Sequence, residues 1–139
     1  MTYLIRRARV GEDLDIIEAM QAALFMEHRA DTASGYWWLV WCDGKPVAFA
    51  GMEHSRYYQQ TGYMNSAAVA WEHRGNGLQK RLIRRRIARA RELGWKWLLT
   101  DTSPDNYPSA NSLIGCGFKL FKPWYKWGSR GSIYLSRKL

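Results

Sequence analysis

Long apolar runs are missing from this chain. No stretch approaches the eighteen or so consecutive apolar residues that a membrane-spanning helix requires, and the N-terminal MTYLIRRARVGED has no long apolar region of the signal-peptide kind. A soluble, cytoplasmic protein with no membrane partner is therefore expected. Cysteine is scarce, with only Cys42 and Cys116, so no disulfide framework is implied and both thiols are expected to be reduced. His28, His54 and His73 lie far apart, and no second cysteine or histidine sits close enough to any of these residues to suggest a metal knuckle. No metal is expected. Acidic residues are absent from one segment in particular: between Arg74 and Arg91 there are eight basic residues and none acidic, while the rest of the chain holds thirteen basic against twelve acidic. The net charge of +9 is thus expected to belong to one helix.

With 139 residues, 47% of them hydrophobic, the chain suits one compact domain spanning residues 1–139. Tyr3 to Arg7 reads as a strand, and Glu12 to Met26 has apolar residues near helical spacing at Leu14, Ile17, Ala19, Leu24 and Phe25. Tyr36 to Trp41 and Pro46 to Glu53 are β-rich and flank Asp43-Gly44, which predicts a hairpin. A strand over about Tyr63 to Trp71 carries the small residues Ala67, Ala68 and Ala70, which would let a ligand approach the backbone. From Asn76 to Leu93, Leu78, Leu82, Ile83, Ile87, Ala90 and Leu93 share one helical face, and Gly94 is a suitable stop. Trp95 to Thr102 reads as a strand, Ser109 to Ile114 as a short helix, and Phe118 to Trp127 with Ser132 to Leu139 as a final strand pair joined around 128–131. The order predicts a mixed α/β sheet with helices packed on it.

A strand, then Arg74-Gly75-Asn76-Gly77, then a long helix is the layout of an anion site. The first helical turn leaves N–H groups unpaired and carries a partial positive charge, and glycines let a phosphate approach without meeting a Cβ. A pyrophosphate would fit there. Arg74, Gly75 and Gly77, led in by Val69-Ala70-Trp71-Glu72-His73, together with Asn106, Ser109, Leu113, Ile114, Gly117 and Phe118 further on, make the sequence resemble the GNAT N-acetyltransferase family. That family's central motif reads Gln or Arg, two residues, Gly, one residue, Gly or Ala, and a segment N-x-x-[AS] ending in Gly-Phe follows it. Two motifs in the right order and separation are more specific than either alone.

The resemblance implies a mostly antiparallel sheet, flanked by helices, that splays open between the strand ending at Trp71 and the strand from Trp95. Acetyl-CoA would be the co-substrate. Its pantetheine would pair with backbone at Ala68, Val69 and Ala70, its pyrophosphate would rest on Arg74, Gly75, Asn76, Gly77, Leu78 and Gln79, and Asn106 and Ser109 would lie by the pantetheine arm. A primary amine would then attack the thioester directly, with backbone N–H groups stabilising the oxyanion. Gln79 stands where the family has Gly or Ala, and its amide could itself donate to a phosphate. Leu113 stands where many members have a tyrosine that protonates the leaving thiolate. Tyr107, Tyr125 or water would do that work, or the thiolate leaves unaided, and Tyr125 is taken as the candidate. Glu53, His54 and Glu72 are candidate bases, with Glu53 favoured by its place near a strand end.

Other residues admit two readings each. Arg86 falls inside the apolar arc of its helix, where it either snorkels past the edge of the core or pairs with a neighbouring carboxylate such as Asp101. Trp37, Trp38 and Trp41, and Phe121, Trp124, Tyr125, Trp127 and Tyr134, could line an acceptor pocket, although strand alternation assigns about half of them to the core. Trp124 and Tyr125 suit the pocket best. The acceptor itself, a small molecule or a protein amine, is not encoded in any motif. Two rival functions stand beside the transferase: a nucleic-acid binder or modifier using Lys80, Arg81, Arg84, Arg85, Arg89 and Arg91, and a non-catalytic interaction module. Whether the assembly is a monomer or a homodimer stays open.

Overall fold

In a computed structural model of the chain, residues 2–24 and 30–139 are described. The aromatic run Tyr36–Cys42 forms strand β2 and Lys45–His54 forms β3, joined as the hairpin signal predicts. Asp43 and Gly44 take φ of 50° and 76°, the two left-handed residues that a type I′ turn needs. The register pairs Cys42 with Lys45 and shifts at a bulge between Val40 and Trp41. Strand β1, Tyr3–Arg7, pairs antiparallel with β2, Tyr3 opposite Cys42. Between them lies helix α1, Glu12–Leu24. Its start is held by Asp13, whose carboxylate accepts from Arg9 N at 2.9 Å and from Arg6 Nη2 at 3.3 Å. The expected continuation to Phe25 and Met26, and His28, fall outside the described residues.

Strand β4 is Thr61–Val69, followed by helix α2 over Leu78–Glu92, strand β5 over Trp97–Thr102, helix α3 over Tyr107–Gly115, and strands β6, Lys119–Leu120, and β7, Ile133–Lys138. The seven strands run in the order β1-β2-β3-β4-β5-β7-β6. The sheet is mostly antiparallel, and β4 and β5 form a parallel pair, Thr61 opposite Trp97, connected through α2. This is the mixed α/β class that the element order predicts.

Two compact units are present, residues 1–53 with 65–78, and residues 54–64 with 79–139. The first has a core of Ile17, Trp37, Leu39, Phe49 and Ala68. Trp37 and Trp38 are 4% and 2% exposed, which removes them as pocket-lining residues and makes them core. Trp41 is half-buried beneath the Arg6 guanidinium, 5.1 Å from the ring centre. In the second unit Leu82, Ile83, Ile87 and Ala90 of α2 are buried, as are Leu98 and Leu99 of β5, Leu113 of α3 and Leu135 of β7.

Three departures from the sequence reading have physical causes. Helix α2 starts at Leu78, because Gly77 at φ 75° is not helical. The strand pair expected over 118–127 and 132–139 shrinks to Lys119–Leu120 and Ile133–Lys138. Pro123 has no N–H to give a ladder, and the rings of Trp124, Tyr125 and Trp127 pack on Tyr57 instead. Arg86 does not snorkel: it is 3% exposed, with Nε donating to Leu82 O at 3.2 Å. Its neighbours on the helix face, Leu82, Ile83 and Ala90, are themselves buried and leave no short path to water. Burial pulls its pKa down to about 10, opposed in part by Cys116. The carboxylate of Asp101 is meanwhile held by Tyr63 OH at 2.7 Å and Trp127 Nε1 at 3.0 Å.

Gly62 in β4 is fitted tightly, since a Cβ there would stand 2.4 Å from the Trp95 ring and 2.7 Å from Leu98 Cδ2. Gly62→Ala should therefore lower stability by about 1–3 kcal/mol through overpacking, read as a lower urea midpoint at unchanged m-value.

Candidate active site

The chain leaves β4 at Val69, and Ala70 donates its N–H to Val47 O at 2.8 Å. A single 3-10 turn, Trp71–His73, follows. It closes with His73 N donating to Ala70 O at 2.9 Å and Arg74 N to Trp71 O at 3.2 Å. Tyr3 OH lies 3.0 Å from His73 Nδ1 and ties this turn to β1. The side chains of the next residues brace the turn from within. Arg74 Nε donates to Val69 O at 3.2 Å while its guanidinium covers Trp71, 5.0 Å from the ring centre. Asn76 Nδ2 donates to His73 O at 3.1 Å and Arg74 O at 3.4 Å.

Gly75 and Gly77 take φ of 80° and 75°, where a side chain is strained, and a Cβ at either would meet nothing within 4 Å. Both therefore face open space. Among the described residues, no backbone N–H from Gly75 to Gln79 finds an acceptor in a loop, a cap or a neighbouring element. Leu78 is 2% exposed, so its side chain anchors the turn. The first turn of α2 carries no acidic residue. Unpaired amides, a helix N-terminus and room for a bulky group together make a good anion cradle.

The other sequence-derived residues fall as follows. Ala68 and Val69 are buried and end β4, Ala68 within the core of the first unit. Glu53 is half-buried near the end of β3, six residues from Val47, or about 20 Å of extended strand. It therefore stands at the opposite end of β3 from the residue that pairs with Ala70. His54 is exposed, its Nδ1 2.8 Å from Ser55 O, and Glu72 is exposed in the 3-10 turn. In the second unit Gln79 is half-buried in the first turn of α2. Asn106 caps α3, its Oδ1 accepting from Ser109 N at 3.2 Å, and Ser109 Oγ takes a bond from Thr102 Oγ1 at 3.2 Å. Leu113 is 5% exposed, a core residue with no route to a leaving group. Tyr107 is exposed.

Tyr125 belongs to a ring cluster, 4.7 Å from Tyr57 and 5.9 Å from Trp124 between centroids. Trp127 stacks on Tyr57 at 6.3 Å and 18° and donates to Asp101. Sequence reading identified Trp124 and Tyr125 but missed Tyr57 and Tyr58 as their partners, and missed Asp101 as the acceptor that fixes Trp127. No local signal joins residues so far apart in sequence. Among the described residues, no group of three or more His, Cys, Asp or Glu could hold a metal ion, and no helix is long and apolar enough to cross a membrane.

The sequence model of the acetyltransferase (GNAT) family matches residues 6–118. The chain belongs to that family. Its fold is that of solved GNAT structures. An IAA acetyltransferase from Bacillus cereus ATCC 14579 is 18% identical with a TM-score of 0.75, covering 99% of this chain and 100% of its own. The ribosomal-protein-S18-alanine N-acetyltransferase from Escherichia coli is 15% identical with a TM-score of 0.77, covering 99% and 94%. N-acetylglutamate synthase from Neisseria gonorrhoeae, solved with coenzyme A and N-acetyl-glutamate, is 21% identical with a TM-score of 0.80, covering all of this chain and 35% of its own. No match was found among curated protein sequences.

Asn106 has a structural role that can be measured by itself. Asn106→Ala should cost about 1 kcal/mol of stability through loss of the α3 cap, read by chemical denaturation, and Asn106→Ser should recover most of it.

Proposed function

We propose that residues 1–139 act as one acetyl-CoA-dependent N-acetyltransferase domain, moving an acetyl group to a primary amine of a small molecule or a protein. The observation that carries this reading is the run of unpaired amides from Gly75 to Gln79 beside two open left-handed glycines. These amides would hold the pyrophosphate of the acyl donor, and family membership makes an acyl-CoA the natural occupant. Arg74 and Asn76 shape the cradle through their side chains, and Asn76 adds its backbone N–H to the anion, whereas the N–H of Arg74 is engaged by Trp71 O. Gln79, half-buried in the first turn of α2, is proposed to add a side-chain amide to the same anion. Ala68 and Val69 keep the strand end narrow for the pantetheine arm. The N–H of Ala70 is already engaged by Val47, so Ala70 contributes position and small size. Asn106 and Ser109 are assigned to the same arm.

Acetyl-CoA supplies the activated thioester. The amine nitrogen forms a bond to the thioester carbonyl carbon, the C–S bond breaks, and the proton shed by nitrogen passes to a base, for which Glu53 is proposed. Tyr125 is proposed as the donor to the departing thiolate. Its exposure and its edge in the aromatic cluster leave its hydroxyl open to such a role. Leu113 takes no part.

The cradle is tested by acetyl-CoA titration in a thermal melt. Saturable stabilisation of about 2.7 kcal/mol at a hundredfold excess over Kd is expected, with loss of most of it in Gly77→Val. No shift in the parent protein would remove the main support for the reading. Acid–base roles are tested separately, by thiol release with a panel of amines. Glu53→Gln should lower kcat/KM by about a hundredfold, with the acetyl-CoA shift unchanged. An unaltered kcat/KM would reassign the base.

A further inference from the structure

Positive charge is divided unequally between the two units. Residues 54–64 with 79–139 hold fifteen Lys or Arg against three Asp or Glu, while residues 1–53 with 65–78 hold six against nine. Helix α2 supplies seven of the fifteen, and seven more follow it, from Lys96 to Lys138. Within this unit a cavity of about 420 Å³ is lined by the guanidinium-bearing Arg84, Arg91 and Arg137 around Ile87, Cys116 and Gly117. No carboxylate lines it. The one acidic residue of α2, Glu92, pairs with Arg89 at 3.4 Å, and none of the three lining arginines has an acidic partner among the described residues.

The lining arginines differ in how they are held. Arg137 is fixed: Nε donates to Cys116 O and Nη1 to Lys138 O, each at 2.9 Å, which leaves Nη2 as the group without a described partner. Arg84 and Arg91 are exposed and seven residues apart on α2, about 10 Å along its axis. Helices α2 and α3 both end here, and each C-terminus contributes about half a negative charge. Three cations against two such ends leave about two positive charges uncompensated. Buried Ile87 and Cys116 form an apolar wall beside them, which strengthens any pairing made there.

From this geometry we propose that the cavity bounded by Arg84, Arg91 and Arg137 is a second anion site, for a small ligand carrying two or more linked phosphate groups. A single phosphate neutralises one end of the Arg84–Arg91 span, whereas a linear di- or triphosphate runs along it to both. The fixed guanidinium of Arg137 offers such a chain one preoriented charged donor, Nη2. None of residues 68–79 lines the cavity, so the site does not depend on the acyl-CoA reading.

The experiment uses the full chain with inorganic phosphate, pyrophosphate and tripolyphosphate as probes. Each is titrated at ionic strength matched with sodium chloride and with CoA present in excess, by calorimetry and thermal melt. Saturable binding is expected, tightest for tripolyphosphate. Arg84→Gln and Arg137→Gln should each weaken it about tenfold, while Arg130→Gln, an equal loss of charge outside the lining, should leave it unchanged. Equal weakening by Arg130→Gln would overturn the site in favour of a diffuse field. A short single-stranded RNA that binds with steep salt dependence, and that tripolyphosphate fails to displace, would overturn it in favour of an extended nucleic-acid face.

Discussion

The chain has to pass from β4 into α2 within the eight residues 70–77, and it does so by holding Gly75 and Gly77 at φ of 80° and 75°. Most features of the candidate site depend on that constraint. Left-handed backbone at two alternate positions directs successive N–H groups outward instead of into a ladder, and neither position tolerates a side chain without strain. Everything near the turn then serves to hold it. Arg74 reaches back to Val69, Asn76 to His73 and Arg74, Tyr3 to His73, and Leu78 fixes the far end by burial. Arg74 and Asn76 are prominent in the motif, yet their side chains meet the protein's own backbone. Their role is to keep the amides exposed.

Charge has a different logic. The contrast of eight basic residues and no acidic ones over 74–91 suggested that one helix carries the net charge. Folding shows that this description is incomplete. The tail from Lys96 to Lys138 joins the same compact unit, and the acidic residues that balance it in a simple count lie mostly in the other unit. Arg86 is the exception among the cations of α2, because its place on the apolar face removes it from water and depresses its pKa to about 10. Arg81, Arg84, Arg85 and Arg91 are exposed while Arg89 is half-buried, and three cations from α2 and β7 meet around one cavity.

Much of the fold was legible because its signals are local. β-rich runs flanking an Asp-Gly turn specified β2 and β3, and a broad apolar stripe specified α2, while the short helix read from Ser109 begins at Tyr107, where Asn106 caps it. The final strand pair was misread because aromatic residues favour strands wherever no other packing is offered. Pro123 and the rings of Tyr57 and Tyr58, more than sixty residues earlier, offered something else. Trp37 and Trp38 were open to the same ambiguity and resolved to core. A ring's periodicity in sequence does not say which ring it will meet.

By itself the sequence determined the order of elements, the glycine turn at the head of α2 and the family to which the chain belongs, since each rests on residue types at short fixed spacings. Only the tertiary structure decided that the side chains of Arg74 and Asn76 brace the turn, that Arg86 is buried, that Asp101 anchors Trp127, and that Arg84, Arg91 and Arg137 share one cavity. Those outcomes depend on where a side chain finds its partner. Partners from distant parts of the chain are brought together by packing, which local spacing does not record.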